Sequence, residues 1–312
     1  MNRTFPERLK TGFIRFKGQI LLQAMVIPGI VWLFIFCYLP MYGITIAFKD
    51  YKPQLGFFGG PWAGTKHFRE FFNDSFAVES IGNTLIISFY KLLAGFPAPI
   101  LFSLLLNELR NLKLKKTAQT VSYLPFFISW VVIASLMQTL LGVEGPLNDF
   151  LMSVGWIDKK IVFLAKPEYF RAIAVVSDIW KGIGWNSIIY LAAISSIPQD
   201  MYEAAYMDGA GRLRRIWHIT LPSISPTIVL LLILAVSGIL GSNFEQHLLL
   251  KNPQNAIVAE TIDTYVFQTG LQQGRHSFAT AISLMRSLIA FLLLFSADRM
   301  ARIVTHGEQG LF

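Results

Sequence analysis

"EAAYMDGAGRLRRIWHITLP", Glu203 to Pro222, is a short charged passage set between two long apolar runs, and its reading decides how the chain folds. Pro198 closes the run before it, because proline lacks an amide donor and disfavours helix at the residue it follows. From Gln199 to Asp208 the side chains favour helix. Gly209 and Gly211 then supply the left-handed conformation with which helices commonly end. Arg212, Arg214 and Arg215 come next, followed by Ile216, Ile219 and Leu221 at apolar spacing, and Pro222 is expected to open the next run. The expected product is a short rod lying across one face of the molecule and turned sharply at its end. Ala204 and Ala205 let another backbone approach closely. Methionine and tyrosine side chains on such a rod have no lipid to bury them, so a protein groove is their expected partner.

The rest of the chain says which face that is. Hydrophobic residues fill 54% of 312 positions and charged residues 15%, against about 25% charged in ordinary soluble domains. Mean hydropathy is +0.50. Too few polar side chains remain to cover a water-facing surface, so lipid is the expected solvent. Apolar runs of bilayer length occupy about 20–48, 81–107, 118–141, 172–197, 223–243 and 277–298. The first follows a basic leader (Arg3, Arg8, Lys10, Arg15, Lys17) but is too long for a signal-peptide core and shows no small-residue cleavage site, so it reads as a retained span. Six spans put both termini on one side. With that side inside, the inner segments hold 14 Lys and Arg against 10 outside, a margin led by the N-terminal cluster, which sets the orientation as N-in, C-in.

The organisation expected is therefore a basic cytoplasmic N-terminus (1–19), one all-α membrane domain (20–300) with its cytoplasmic loop at 198–222, and a cytoplasmic tail (301–312). The outer segments 49–80 and 142–171 have short amphipathic helical character and should form an ordered cap. Trp62, Trp156, Tyr38 and Tyr169 near span ends fit interfacial belts. The net charge of +8 lies in clusters flanking the spans, which speaks for lipid and against nucleic acid as the partner. Cys37, the single cysteine, reads as a small buried hydrophobe.

With its spacing laid out, the opening passage resembles the EAA loop of binding-protein-dependent ABC importer permeases: Glu203-Ala204-Ala205, three residues, Gly209, nine residues, Ile219, one residue, Leu221-Pro222. "GGPWAGTKHFREFF" (59–72) resembles the G-x-x-N-F outer segment of the carbohydrate branch, with His67 where asparagine is usual. "DTYVFQTGLQQGRHSFATAISLMRSLIAFLLL" (263–294) is similar to the last-span region of permeases for complex oligosaccharides, such as polygalacturonan- and alginate-type systems. The resemblance implies the six-helix type I importer permease fold in a bacterial cytoplasmic (inner) membrane, and an oligo- or polysaccharide cargo that includes acidic ones. It makes Glu203, Ala204, Ala205, Asp208, Gly209, Ile219, Leu221 and Pro222 the positions that couple to an ATPase. It also implies partners: two ATP-binding cassette subunits that hold ATP and Mg, a second homologous permease in a heterodimer, and an extracytoplasmic solute-binding protein.

Ionisable residues inside the apolar runs are the remaining candidates. A charge at the bilayer centre costs roughly 2.5–3.5 kcal/mol, so Lys91, Asp178, Lys181 and Arg286 each need a partner, water or a route to the interface. Asp178 and Lys181 share a helical face and could pair with each other. Read functionally, the four line a translocation path for a hydroxylated or acidic sugar, with Trp180 and Trp185 stacking on its rings; read structurally, they tie helices together. "WKGIGWNS" (180–187) reads as a kink or close-packing segment. The five histidines are scattered with no ligand spacing, so no metal site is expected. Glu245 and His247 could touch a partner. "GLQQGRHS" lacks the spacing and lysine of a phosphate-cradling loop, so ATP hydrolysis is expected from a partner and no catalytic residues from this chain. A secondary transporter and a membrane glycosyltransferase are the competing readings.

Overall fold

Apolar runs of bilayer length leave helix as the way for a single segment to satisfy its backbone groups inside lipid. The computed structural model describes residues 20–56, 59–241 and 243–304, and among these every regular element is helical apart from one antiparallel bridge between Lys49 and Trp62. The basic leader, His306 and the end of the tail lie outside the described residues. Among the described residues four helices are long and apolar enough to cross a bilayer: Leu22–Phe48, Ser75–Glu108, Arg212–Ser237 and His276–Ile303. Leu112–Phe127 and Trp130–Leu140 form a fifth if taken as one span bent by 101°. Helix Pro167–Ser195 is long, at 29 residues, but carries Glu168, Arg171, Asp178 and Lys181 and is less apolar than the others. It lies at the centre, packed against Pro97–Glu108, Leu112–Phe127 and Leu221–Ser237.

Three expected boundaries move. The run 118–141 is broken at Ile128 and Ser129, both extended. Pro125 weakens the helix before the break, and the Ser129 hydroxyl restarts it by accepting from the Val132 amide at 3.4 Å. The helix after the rod begins at Arg212, ahead of Pro222. It continues through a wide turn at Ile216–Thr220, where the Leu221 amide reaches back to the Ile216 carbonyl. That slack admits the ring of Pro222, which would otherwise strike the carbonyl one turn earlier. A similar wide turn, Lys91–Gly95, precedes Pro97. The last helix runs to Val304, past the expected end of its span.

Helix Leu22–Phe48 is exposed along nearly its whole length, Cys37 included, and buries only Ile46 and Ala47 near its end. The core divides into three clusters. One gathers Ile87, Ala134, Phe170, Ala174 and Leu250; a second Phe71, Tyr265, Phe278 and Ile282; a third Ile100, Leu104, Tyr190, Ile194 and Ile224. The segments joining the helices at the end remote from the rod are tied down by polar contacts. Lys66 pairs with Asp50 at 2.9 Å and Arg275 with Glu70 at 2.5 Å, and the Asn252 and Asn255 amides donate to the Leu164 carbonyl at 2.8 Å each. The Lys66 hydrogen bond holds the Asp50 carboxyl below its ordinary range. Burial, and then the hydrogen bond to Asp74, push the Tyr265 phenol up. His67 is buried with Nε2 3.1 Å from the Lys49 carbonyl, so it clips the chain leaving the first helix to helix Lys66–Asn73.

Candidate functional site

Two features could do work: the rod at one end of the bundle and a charged cavity within it. The rod is helix Gln199–Met207. Gly209 follows at φ +72°, its amide donating to Tyr206 O at 3.0 Å, while Ala210 donates to Ala205 O at 2.8 Å. These two bonds close the last turn and explain the glycine, since a Cβ strains that conformation. Met201, Glu203, Ala204, Tyr206, Met207 and Asp208 are exposed, Met207 at 83% and Tyr206 at 70%. An apolar pair so exposed on a short charged rod is a surface made for a groove.

Ile219, Leu221 and Pro222 have a different placement. Leu221 packs, with Ile216 and Ile197, against the third core cluster, and Ile219 is half-buried. Leu221 and Ile219 hold the base of the rod to the bundle, Pro222 is itself exposed, and the rod's exposed face is left to residues 201–208. Two polar ties join in: Tyr202 OH lies 2.9 Å from Thr220 Oγ1, and Arg212 lies 3.7 Å from Glu108. Sequence reading passed over Tyr202 as one more helix former. A Tyr202→Phe chain loses a half-buried bond of about 1 kcal/mol net. It should insert normally and show a few-fold lower transport rate, measurable as uptake per assembled complex.

The cavity, of about 340 Å³, opens between helix Ser75–Glu108, helix Pro167–Ser195 and the end of Arg212–Ser237. Lys91 and Asp178 face each other across it at 3.5 Å, and Ser88, Asn186 and Tyr190 add hydrogen-bonding groups. Asp178, Gly182 and Asn186 recur every four residues, a spacing that could have exposed this face in the sequence.

The other expected path residues lie elsewhere. Lys181 does not pair with Asp178. Its ammonium donates to the carbonyls of Pro125 at 3.2 Å and Phe126 at 2.9 Å, and to that of Ile128, which lie at the 101° bend; the Pro125 carbonyl also accepts from the Ile128 amide at 3.2 Å. Trp185 stacks flat on Phe126 with centroids 4.5 Å apart, Trp180 is half-exposed, and neither lines the cavity. Arg286 is ion-paired to Asp263. Glu245 is exposed, but His247 is fully buried against Phe170 and offers no contact surface. Lys181 is therefore a structural brace. Lys181→Met should destabilise the purified protein by about 1–3 kcal/mol through unsatisfied carbonyls, seen as a lower melting temperature. Lys181→Arg should recover most of the loss.

A helical membrane bundle with an exposed docking rod at one end and a polar cavity between its helices is the build of a translocation subunit. The chain belongs to the family described as binding-protein-dependent transport system inner membrane component, whose model matches residues 95–307. It is thus a multi-pass inner-membrane permease, distinct from the ATPase of such systems. It is 44% identical over 98% of its length to the polygalacturonan/rhamnogalacturonan transport system permease YteP of Bacillus subtilis, covering 94% of that protein. It is 42% identical over 93% of its length to protein LplB of the same organism, covering 91%. Among solved structures it is similar to a chain of a bacterial ABC transporter that imports the acidic polysaccharide alginate. There the TM-score is 0.87 at 40% identity, covering 94% of this chain and 99% of that one. A second structure of an alginate transporter, in complex with an alginate pentasaccharide-bound periplasmic protein, matches equally well.

Proposed function

We propose that this chain is one of two permease subunits of an ATP-driven importer for an acidic oligosaccharide, delivered by an extracytoplasmic binding protein. The observation that carries the mechanism is the exposed rod Gln199–Met207, braced at its base and bare on its outer face. In the membrane the chain forms six spans by counting the bent pair as the third and Pro167–Ser195 as the fourth, whose Arg171, Asp178 and Lys181 face protein or cavity. The basic leader 1–19, the clusters at 110–116 and 212–215, and the tail 301–312 then share the cytoplasmic side, in line with the charge asymmetry. The rod projects into the cytoplasm, where a partner ATPase that binds ATP and Mg takes it into a groove. Nucleotide-driven closure of two ATPase subunits moves two such rods and rocks the bundles between inward- and outward-facing states. A second, different permease completes the pore, as in carbohydrate importers of this family. The acidic cargo rests on the relatives' named substrates and on Lys91 inside the cavity.

Single cysteines at 203–209, in a chain with Cys37 replaced, test the partner: they should cross-link to an ATP-hydrolysing subunit of the assembled importer, and none doing so defeats the reading. Uptake of neutral and uronic-acid oligosaccharides, presented on the binding protein, tests the cargo; a preference for neutral ones defeats that part alone.

A further inference from the structure

We infer that Lys91 is the specificity-determining residue of the cavity. On this view it exchanges Asp178 for a carboxylate of the cargo, and the exchange loosens the helix that roofs the cavity. The inference rests on the acidic-cargo reading above.

Lys91 holds two partners. Its ammonium is 3.5 Å from Asp178 Oδ1 and donates to Gln246 Oε1 at 2.7 Å. Gln246 is fully buried, and its amide donates to Ala174 O at 2.7 Å and to Ser177 Oγ at 2.8 Å. Asn243, at the start of the same helix, donates to Asp178 at 3.3 Å. Helix Phe244–Leu250 is therefore tied in part to the two charged side chains that line the cavity, and in part to Ala174 and Ser177. Gly238, Ile239 and Gly241, which lead into it, are themselves part of the cavity wall. This roof lies at the far end of Arg212–Ser237, a 26-residue helix that carries it about 39 Å from the rod.

A buried cation keeps a partner at all times, because leaving one unpaired costs several kcal/mol. Lys91, with a side chain only 16% exposed, gives up Asp178 only for another carboxylate. Asp178, at 34%, reaches solvent and keeps Asn243, so it is the member that can be let go. A uronic acid entering the cavity supplies the replacement, and Lys91 turning toward it withdraws one of the three hydrogen bonds that hold Gln246, which loosens the roof. A neutral sugar offers hydroxyls alone and leaves pair and roof in place. Asp178 thereby acts as a built-in competitor that sets how strongly a cargo must bind.

The test uses the complete importer in proteoliposomes, with its partner subunits unaltered, and compares an oligouronide with its methyl ester. Wild type should prefer the acid. Lys91→Met should lower the acid-to-ester uptake ratio on the order of tenfold or more, as expected where a site loses the group that reads one polar feature. Asp178→Asn should raise the ratio and lower the acid concentration for half-maximal uptake. An unchanged ratio in Lys91→Met, or an unchanged or lower one in Asp178→Asn, overturns the inference. If Lys91→Met fails to insert, Asp178→Asn decides by the same criterion. Hydrogen exchange at amides 243–250 should quicken with the acid and stay level with the ester; no difference removes the roof from the proposal. A wild type that ignores the acid brings down the cargo reading itself. An acid-preferring wild type whose preference survives both substitutions brings down only the role of Lys91.

Discussion

Glu203→Lys and Gly209→Asp should each cut ATPase activity stimulated by loaded binding protein, and uptake with it, at least about tenfold, equivalent to about 1.4 kcal/mol of docking free energy. The permease itself should still insert and assemble. Glu203 is exposed on the rod and, among the described residues, no hydrogen bond or ion pair holds it to the bundle, so reversing its charge alters what a partner meets and little else. Gly209 is subtler. Its φ of +72° disfavours most side chains, yet a Cβ there would meet no heavy atom within 4 Å. Aspartate tolerates the left-handed region better than other residues, so the turn survives and a second carboxylate appears beside Asp208. Gly209→Asn keeps the shape without the charge and should be far milder. Equal loss in the Asn and Asp chains would show that the turn, not the charge, is at stake. Full activity in both Glu203→Lys and Gly209→Asp would remove the rod as the point of coupling.

How much of this was legible in the sequence follows from how local each cause is. The rod's end is written in adjacent residues: Gly209 takes a conformation its neighbours cannot, and two short backbone bonds complete it. The apolar runs are likewise additive along the chain, so most of the long helices were visible as runs. What failed involves partners far apart. Asp178 and Lys181 looked like a pair because the helical repeat shows only near neighbours. Asp178 instead meets Lys91, and Lys181 meets carbonyls more than fifty positions earlier. The break at Ile128 and Ser129 was hidden because hydropathy does not change across it; Pro125 was its only mark. Gln246 and Asn243, which reach the charged pair from a helix outside the long apolar runs, carried no signal at all.

Gly184 shows the same limit from the packing side, and its replacement should have the largest structural effect in the molecule. Helix Pro167–Ser195 crosses Leu112–Phe127 at this residue. A Cβ at 184 would sit within the van der Waals shell of the Ser122 carbonyl carbon and oxygen, and 2.9 Å from its hydroxyl. Two of these atoms are backbone, so no side chain can swing aside; the helices themselves must part. Parting them strains the Lys181 brace one turn away and the stack of Trp185 on Phe126. Gly184→Ala should therefore cost about 1–3 kcal/mol, the usual range for overpacking, and Gly184→Leu should leave no folded permease in the membrane. Gly95→Ala, where the new methyl would meet Ile179 at an ordinary 3.5 Å, and Gly82→Ala, which meets nothing within 4 Å, should both insert with melting temperatures near that of the parent. Thermal unfolding of the detergent-solubilised proteins ranks the three alanine chains, and the amount of permease recovered from the membrane reads Gly184→Leu. A Gly184→Ala chain as stable as the Gly82→Ala chain would mean that the two helices do not touch where they are described as touching, and that the small residues of "WKGIGWNS" serve some purpose other than close approach.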